Sequence, residues 1–165
     1  MGYKPKKYGY CWYFEVGDSW GGLELGACFL TDKTPSTHTK NHEMGHGIQN
    51  CYWGFLMPFV ICIPSAYRYW LRKFNDKKKF ANIFYIIVCV ITIILCLIAC
   101  INPFLNWFII IAILLFAYAT ILHIWATREE IPQYENNSYV PYDTFWAEAD
   151  ATKRGTEFIE SLGEK

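Results

Sequence analysis

Residues 42 to 46 read HEMGH. Two histidines four apart fall on one face of an α-helix, so both imidazoles can reach the same metal ion. Glu43 then stands beside the ion rather than on it, the position from which a carboxylate takes a proton from a water whose pKa zinc lowers towards roughly 7. His42 and His46 are therefore expected as metal ligands and Glu43 as the general base. The chain has four histidines, His38, His42, His46 and His123, and two of them occupy this spacing. The competing reading of the same residues is a polar helix whose histidines meet solvent or backbone carbonyls. Gly45 and Gly47 each cost a helix about 1 kcal/mol relative to alanine. Their presence predicts a close approach there by a substrate strand or a neighbouring helix, although simple packing would look the same.

A catalytic zinc takes three protein ligands and keeps one position open. Glu148, within DTFWAEADATKRG, is the expected third ligand, on a C-terminal helix that Gly155 could end. Asp150 competes with it, and a solvated acidic face is the alternative for both. His123 lies near the end of an apolar run, where it could be interfacial. Histidine and carboxylate donors at this spacing favour zinc over other divalent ions.

The elements that must hold these residues are read from hydropathy. The chain has 165 residues, of which 53% are hydrophobic, 19% aromatic and only 18% charged. About a quarter charged is usual for a soluble domain, so the deficit points to lipid. Residues 80 to 100 carry no charge over about the 20 residues a helix needs to cross hydrocarbon. After Asn102 and Pro103, a second uncharged run from Phe104 to Trp125 repeats the pattern, with Trp107 and Trp125 placed as interfacial aromatics. Two buried helices of a soluble core would need a polar face each, and neither run shows one. Residues 51 to 67 are apolar but short and broken by Gly54, Pro58 and Pro64, so they are expected to kink, re-enter or pack rather than span. YGYCWYFEV and LELGACFLT, separated by GDSWGG, read as a β-hairpin. KTPSTHTKN supplies capping residues before a helix. The expected fold is a mainly α membrane protein forming one membrane-integrated domain over 1–165. It comprises a β-hairpin region at 1–36, the motif helix and proline-broken segment at 37–67, a two-helix transmembrane hairpin at 80–125 and a short C-terminal helix at 141–163.

The formal net charge of zero hides six basic residues between 68 and 79 against Asp76 alone, while residues 128 to 165 are acidic. A basic block pressed against apolar runs reads as a cytoplasmic membrane-flanking loop rather than a nucleic-acid surface. The hairpin returns the chain to the same side, so Glu148 is expected in the cytoplasm, and His42 and His46 can join it only if residues 51 to 67 do not cross. The expected partners are the lipid bilayer and a peptide or membrane-protein substrate, with no nucleic acid. The seven cysteines include no C-x-x-C pair, and those in apolar runs are expected to behave as small buried hydrophobes. No cleaved signal peptide is visible, and Lys6 stands where a myristoylation site wants Ser or Thr. A channel or transporter is disfavoured, because neither strong apolar run carries an acidic or basic side chain.

HEMGH resembles the HExxH of zincin metallopeptidases, and Glu148 resembles the glutamate ligand of the gluzincin branch. In membrane gluzincins such as the CAAX prenyl protease, that glutamate is typically followed four residues later by an aspartate, where this chain has Thr152. The longer string THTKNHEMGHGIQNCYWGFLMPFVICIPSAYRYW, with WGGLELGACFLTD before it and YDTFWAEADATKRG after it, is similar to a group of small bacterial membrane proteins with an HExGHxIQ motif. That resemblance covers most of the chain and implies a shared layout and a bacterial inner or plasma membrane. Gln49, Pro64, Ser65 and Trp146 fall in its recurrent strings, with no role attached.

Overall fold

The computed structural model describes residues 3–18, 21–137 and 139–163. It is mostly helical with a small N-terminal sheet. The chain forms two compact units, one built from Met1–Ser65 and Pro141–Lys165 and the other from Ala66–Val140.

The first unit begins with strands β1 (Lys6–Tyr8), β2 (Cys11–Glu15), β3 (Gly22–Glu24) and β4 (Cys28–Thr31), ordered β1-β2-β4-β3. This corrects the expected hairpin. β2 and β4 lie parallel, in register from Trp12 opposite Cys28 to Glu15 opposite Thr31. The antiparallel partners are β1 with β2 and β3 with β4. The reason lies in the turns: Gly9, at φ 54°, closes a two-residue turn between β1 and β2, and Gly26, at φ 91°, turns β3 into β4. GDSWGG belongs to the crossover that parallel pairing requires, and its Ser19 and Trp20 lie outside the described residues. Period-2 alternation buries Cys11 and Tyr13 while Trp12 faces out. Cys11, Tyr13, Phe29, Met44 and Ile159 form the core, with the Tyr13 and Phe29 rings stacked at 5.3 Å.

Helix α1 (Thr37–Trp53) starts where expected, with Ser36 Oγ accepting from the Thr39 N–H at 3.0 Å. Gly54 caps its end at φ 50°. The proline-broken segment stays helical but irregular: a 3₁₀ turn at Gly54–Leu56 and a π turn at Pro58–Cys62 lead into α2 (Ile63–Lys73). Pro58 is tolerated because it opens the π turn, where a missing N–H costs little, and Pro64 follows where that turn passes into α2. The C-terminal helix, which becomes α6 in chain order, spans Trp146–Ser161 and packs along α1. Gly155 does not end it, contrary to expectation. It sits mid-helix, where an added Cβ would overlap the Asn41 carbonyl of α1.

The second unit holds the end of α2, then α3 (Lys77–Ile101), α4 (Trp107–Trp125) and α5 (Ile131–Asn136). Asp76 caps α3, accepting from the Lys79 N–H at 2.8 Å. α3 and α4 pack side by side, and the few residues buried along them include Ala99, Ala112 and Ala119. Beyond Trp125 the helix continues through a π turn, Ala126–Glu130, into α5, so the second apolar stretch is longer than its uncharged run. Lys77–Ile101, of 25 residues, and Trp107–Asn136, of 30, are both long and apolar enough to cross a membrane. Arg68 donates from Nε to Glu130, both fully or nearly fully buried, and Tyr134 donates to the same carboxylate at 2.6 Å. The cysteines are all free, but only Cys11 is buried; Cys51, Cys62 and Cys100 are exposed, contrary to the expectation for thiols in apolar runs.

Candidate metal centre

The helical period puts His42 and His46 on one face of α1. Glu148 comes from the first turn of α6, where the helix dipole favours a carboxylate. The two helices approach closely because of two glycines. An added Cβ on Gly45 would overlap the Ala151 carbonyl and lie 2.8 Å from its Cα, and one on Gly155 would meet the Asn41 carbonyl. Gly47 serves the other side of α1, where an added Cβ would fall 2.7 Å from the Tyr10 hydroxyl and 3.5 Å from Cys11 Sγ. The two glycines of the motif thus answer to a neighbouring helix and to the sheet region respectively.

His42, His46 and Glu148 converge. Their ligand atoms are spaced 3.1 Å between the two Nε2 atoms, 3.1 Å from His42 Nε2 to Glu148 Oε2 and 3.2 Å from His46 Nε2 to the same oxygen. Donors about 2.0–2.1 Å from a tetrahedral ion stand about 3.3 Å apart, so this triangle matches one face of such a site. The group is able to hold a metal ion.

What turns the rings is also visible. Gln49 Nε2 donates to the Ala147 carbonyl at 2.8 Å and to Asp150 Oδ2 at 2.9 Å. Its amide oxygen is thereby directed at His46 Nδ1, 2.9 Å away, and can only accept. When neutral, His46 therefore carries its proton on Nδ1, which leaves the Nε2 lone pair for the centre. The Thr152 hydroxyl stands 2.9 Å from His42 Nδ1 and holds that ring from behind, with His42 Nε2 towards the group. Ser65 donates to Glu148 Oε1, and the Tyr142 hydroxyl, 3.0 Å from Ser65 Oγ, also hydrogen-bonds Glu148. Two helices and a loop thus fix the carboxylate.

Burial would raise the Glu148 carboxyl, but hydrogen bonds to both histidines, the charge of His46 and the Ser65 hydroxyl outweigh it and hold it far below the carboxylate range. Burial opposes the charged form of His46, yet Glu148 prevails and raises it. Glu43 is buried, its carboxyl is pushed up to about 7 chiefly by loss of water, and the two histidines pull it back. Gly22 of β3 leaves it room, since an added Cβ there would fall 2.6 Å from Glu43 Cγ. Glu24, two residues further along that strand, is raised by burial as well.

The remaining candidates separate from the group. Asp150 is engaged by Gln49 and by Arg154 Nε at 2.7 Å, so it orients a ligand's partner and is not a ligand. His38 lies 3.7 Å from Asp143, and His123 stacks on Tyr85 in the other unit. Trp146 is half-exposed. Sequence reasoning gave no role to Gln49 and Ser65 and did not find Tyr142 or Glu24. Gln49 could have been found from its spacing, three residues after His46 and hence on the adjoining helical face. Ser65 and Tyr142 reach Glu148 only through tertiary packing.

The chain matches no protein-family model, no curated protein and no solved structure.

Proposed function

We propose that the chain is a membrane-bound zinc metallopeptidase whose site faces the cytoplasm. The observation that carries this reading is the convergence of His42, His46 and Glu148 at tetrahedral spacing, with the general-base candidate Glu43 buried beside them. Zinc is favoured by the two imidazoles and one carboxylate, a donor set that leaves a fourth position for solvent or substrate. When bound, the ion supplies Lewis-acid polarisation of a water and of a scissile carbonyl. The protein's own part is to keep both Nε2 lone pairs aimed inward through Gln49 and Thr152, and to hold Glu148 through Ser65. Glu43 takes the proton of the attacking water and returns it to the departing amine. Its carboxyl is suited to both steps, because burial brings it towards neutrality. Gly22 and Glu24 belong to the outermost strand of the sheet, so backbone at the sheet edge borders Glu43, a setting that accepts a peptide as an added strand.

Membrane insertion rests on the two long apolar helices, whose large side chains are left outside any protein core. Ile86, Ile93, Leu97, Ile113, Leu114 and Ile121 are all exposed, which in water would be a heavy cost and in lipid is the expected arrangement. The basic residues from 68 to 79 favour a cytoplasmic start for α3.

The test is metal content and hydrolysis together, on protein purified in detergent without chelators and assayed against a quenched fluorescent peptide library. About one zinc per chain is expected, lost in His46→Ala and in Glu148→Ala. Glu43→Gln should keep the zinc and lose at least ~100-fold in rate. Undiminished hydrolysis by Glu43→Gln would overturn the peptidase reading, and an unmodified chain without zinc would overturn the metal centre.

A further inference from the structure

Between Met44 and Tyr67 the chain contains no Asp, Glu, Lys or Arg. Within this stretch, at the end of the helix that carries both histidines, Tyr52, Trp53, Phe55, Leu56 and Phe59 are all exposed, Phe55 to 85% and Tyr52 to 73%. Met57 and Ile61, from the same stretch, are buried and tie it to the protein. Five large apolar side chains within eight residues exceed what an aqueous surface scatters singly, so something covers them.

Three features decide what the cover is. The mixture of Tyr, Trp, Phe and Leu is the composition that settles at the boundary of headgroups and acyl chains, where the polar tips of Tyr and Trp stay wet. The backbone keeps its hydrogen bonds through the irregular turns: the Gly54 N–H reaches the Asn50 carbonyl, the Met57 N–H the Gly54 carbonyl and the Ile63 N–H the Pro58 carbonyl. Hydrocarbon demands this of any backbone that enters it, and water does not. Finally, no Asp, Glu, Lys or Arg falls between residues 45 and 66, so no ionised side chain of the segment has to leave water when it meets lipid.

We propose that residues Tyr52–Phe59 form a second, shallow membrane contact belonging to the metal-bearing unit itself, with the aromatic side chains seated in the headgroup boundary of one leaflet. The end of α1 is then held at the lipid surface, and the polypeptides within reach of His42, His46 and Glu148 are those emerging from or lying on the bilayer. This narrows the substrate class of the proposed peptidase but depends only on the membrane reading, not on hydrolysis.

The test uses the unmodified chain, reconstituted in phosphatidylcholine–phosphatidylglycerol vesicles containing a phospholipid with a diazirine on its acyl chain near the headgroup. After irradiation, lipid-bearing peptides are mapped by mass spectrometry. Crosslinks are expected on Tyr52–Phe59 as well as on α3 and α4, and Phe55→Asp should lower the yield on the 52–59 peptide about tenfold while leaving α3 unchanged. Crosslinks on α3 and α4 with none on 52–59 would overturn the proposal and leave the membrane reading standing. Protection of 52–59 by a second copy, seen as chain-to-chain crosslinks through that segment, would overturn it equally. No lipid on any helix would remove both.

Discussion

Replacing Gly45 by alanine separates two physical arguments that predict opposite signs. On helix propensity alone, the change stabilises α1 by about 1 kcal/mol. The packing says otherwise, because the new Cβ would lie 2.8 Å from Ala151 Cα and overlap the Ala151 carbonyl. Carbon atoms in contact sit about 3.5–4.0 Å apart, so α1 and α6 must part by roughly 1 Å. Both colliding groups on α6 are backbone, and no rotamer change relieves them. Overpacking of this kind costs about 1–3 kcal/mol, and a backbone collision belongs at the upper end, leaving a net loss of about 2 kcal/mol. The larger effect is on the centre. Glu148 rides on α6 and the histidines on α1, so a shift of roughly 1 Å far exceeds the ~0.2 Å that metal–ligand distances tolerate. Zinc affinity, measured by competition with a chromophoric chelator in detergent, should fall by about 100-fold, within the range seen when ligand orientation is lost. The thermal midpoint of the metal-free protein should fall as well, on the order of 10 °C for a unit of this size. A Gly45→Ala protein that binds zinc as tightly as the unmodified chain and melts no lower would refute the close crossing of the two helices.

Three further outcomes can be checked on the same material. Gln49→Leu removes the acceptor at His46 Nδ1 and should weaken zinc about 10–100-fold in the chelator titration while leaving one site per chain. The raised pKa of His46 means that its ring keeps a proton at a pH where an ordinary histidine has lost it, and zinc must displace that proton. Affinity should therefore decline on acidification, by about tenfold per pH unit below the raised value, and a pH-independent affinity would contradict the role of His46 as a ligand. In the other unit, Glu130→Ala deprives the buried Arg68 of its carboxylate and should cost about 3–5 kcal/mol, read as a lower thermal midpoint in detergent.

Helix placement and the metal group were legible for different reasons. The runs at 80–100 and 104–125 announce themselves because an uncharged stretch of that length has few stable alternatives, and both are helical. The bringing together of His42 and His46 follows from a period of 3.6, and Glu148 was reachable because a three-ligand site needs a further acid on a later helix and DTFWAEADATKRG supplies one. The sheet was not legible, since YGYCWYFEV and LELGACFLT have the pattern of paired strands whether they run parallel or antiparallel. The choice lay with Gly9 and Gly26, whose positive φ values make two tight turns and leave GDSWGG as a crossover. Gly155 misled for a related reason: a glycine near a helix end and a glycine under a crossing helix are the same letter, and only the position of Asn41 tells them apart.

The ligands of the centre are separated along the chain by an entire folding unit, residues 66–140, inserted between the segment bearing the histidines and the one bearing Glu148. During synthesis at about 5–20 residues per second, His46 leaves the ribosome roughly 5–20 seconds before Glu148 does. In that interval the nascent chain carries two imidazoles and Glu43 without Glu148, while α3 and α4 are being made. A group divided in this order closes last, only after the whole of α3 and α4 has been made.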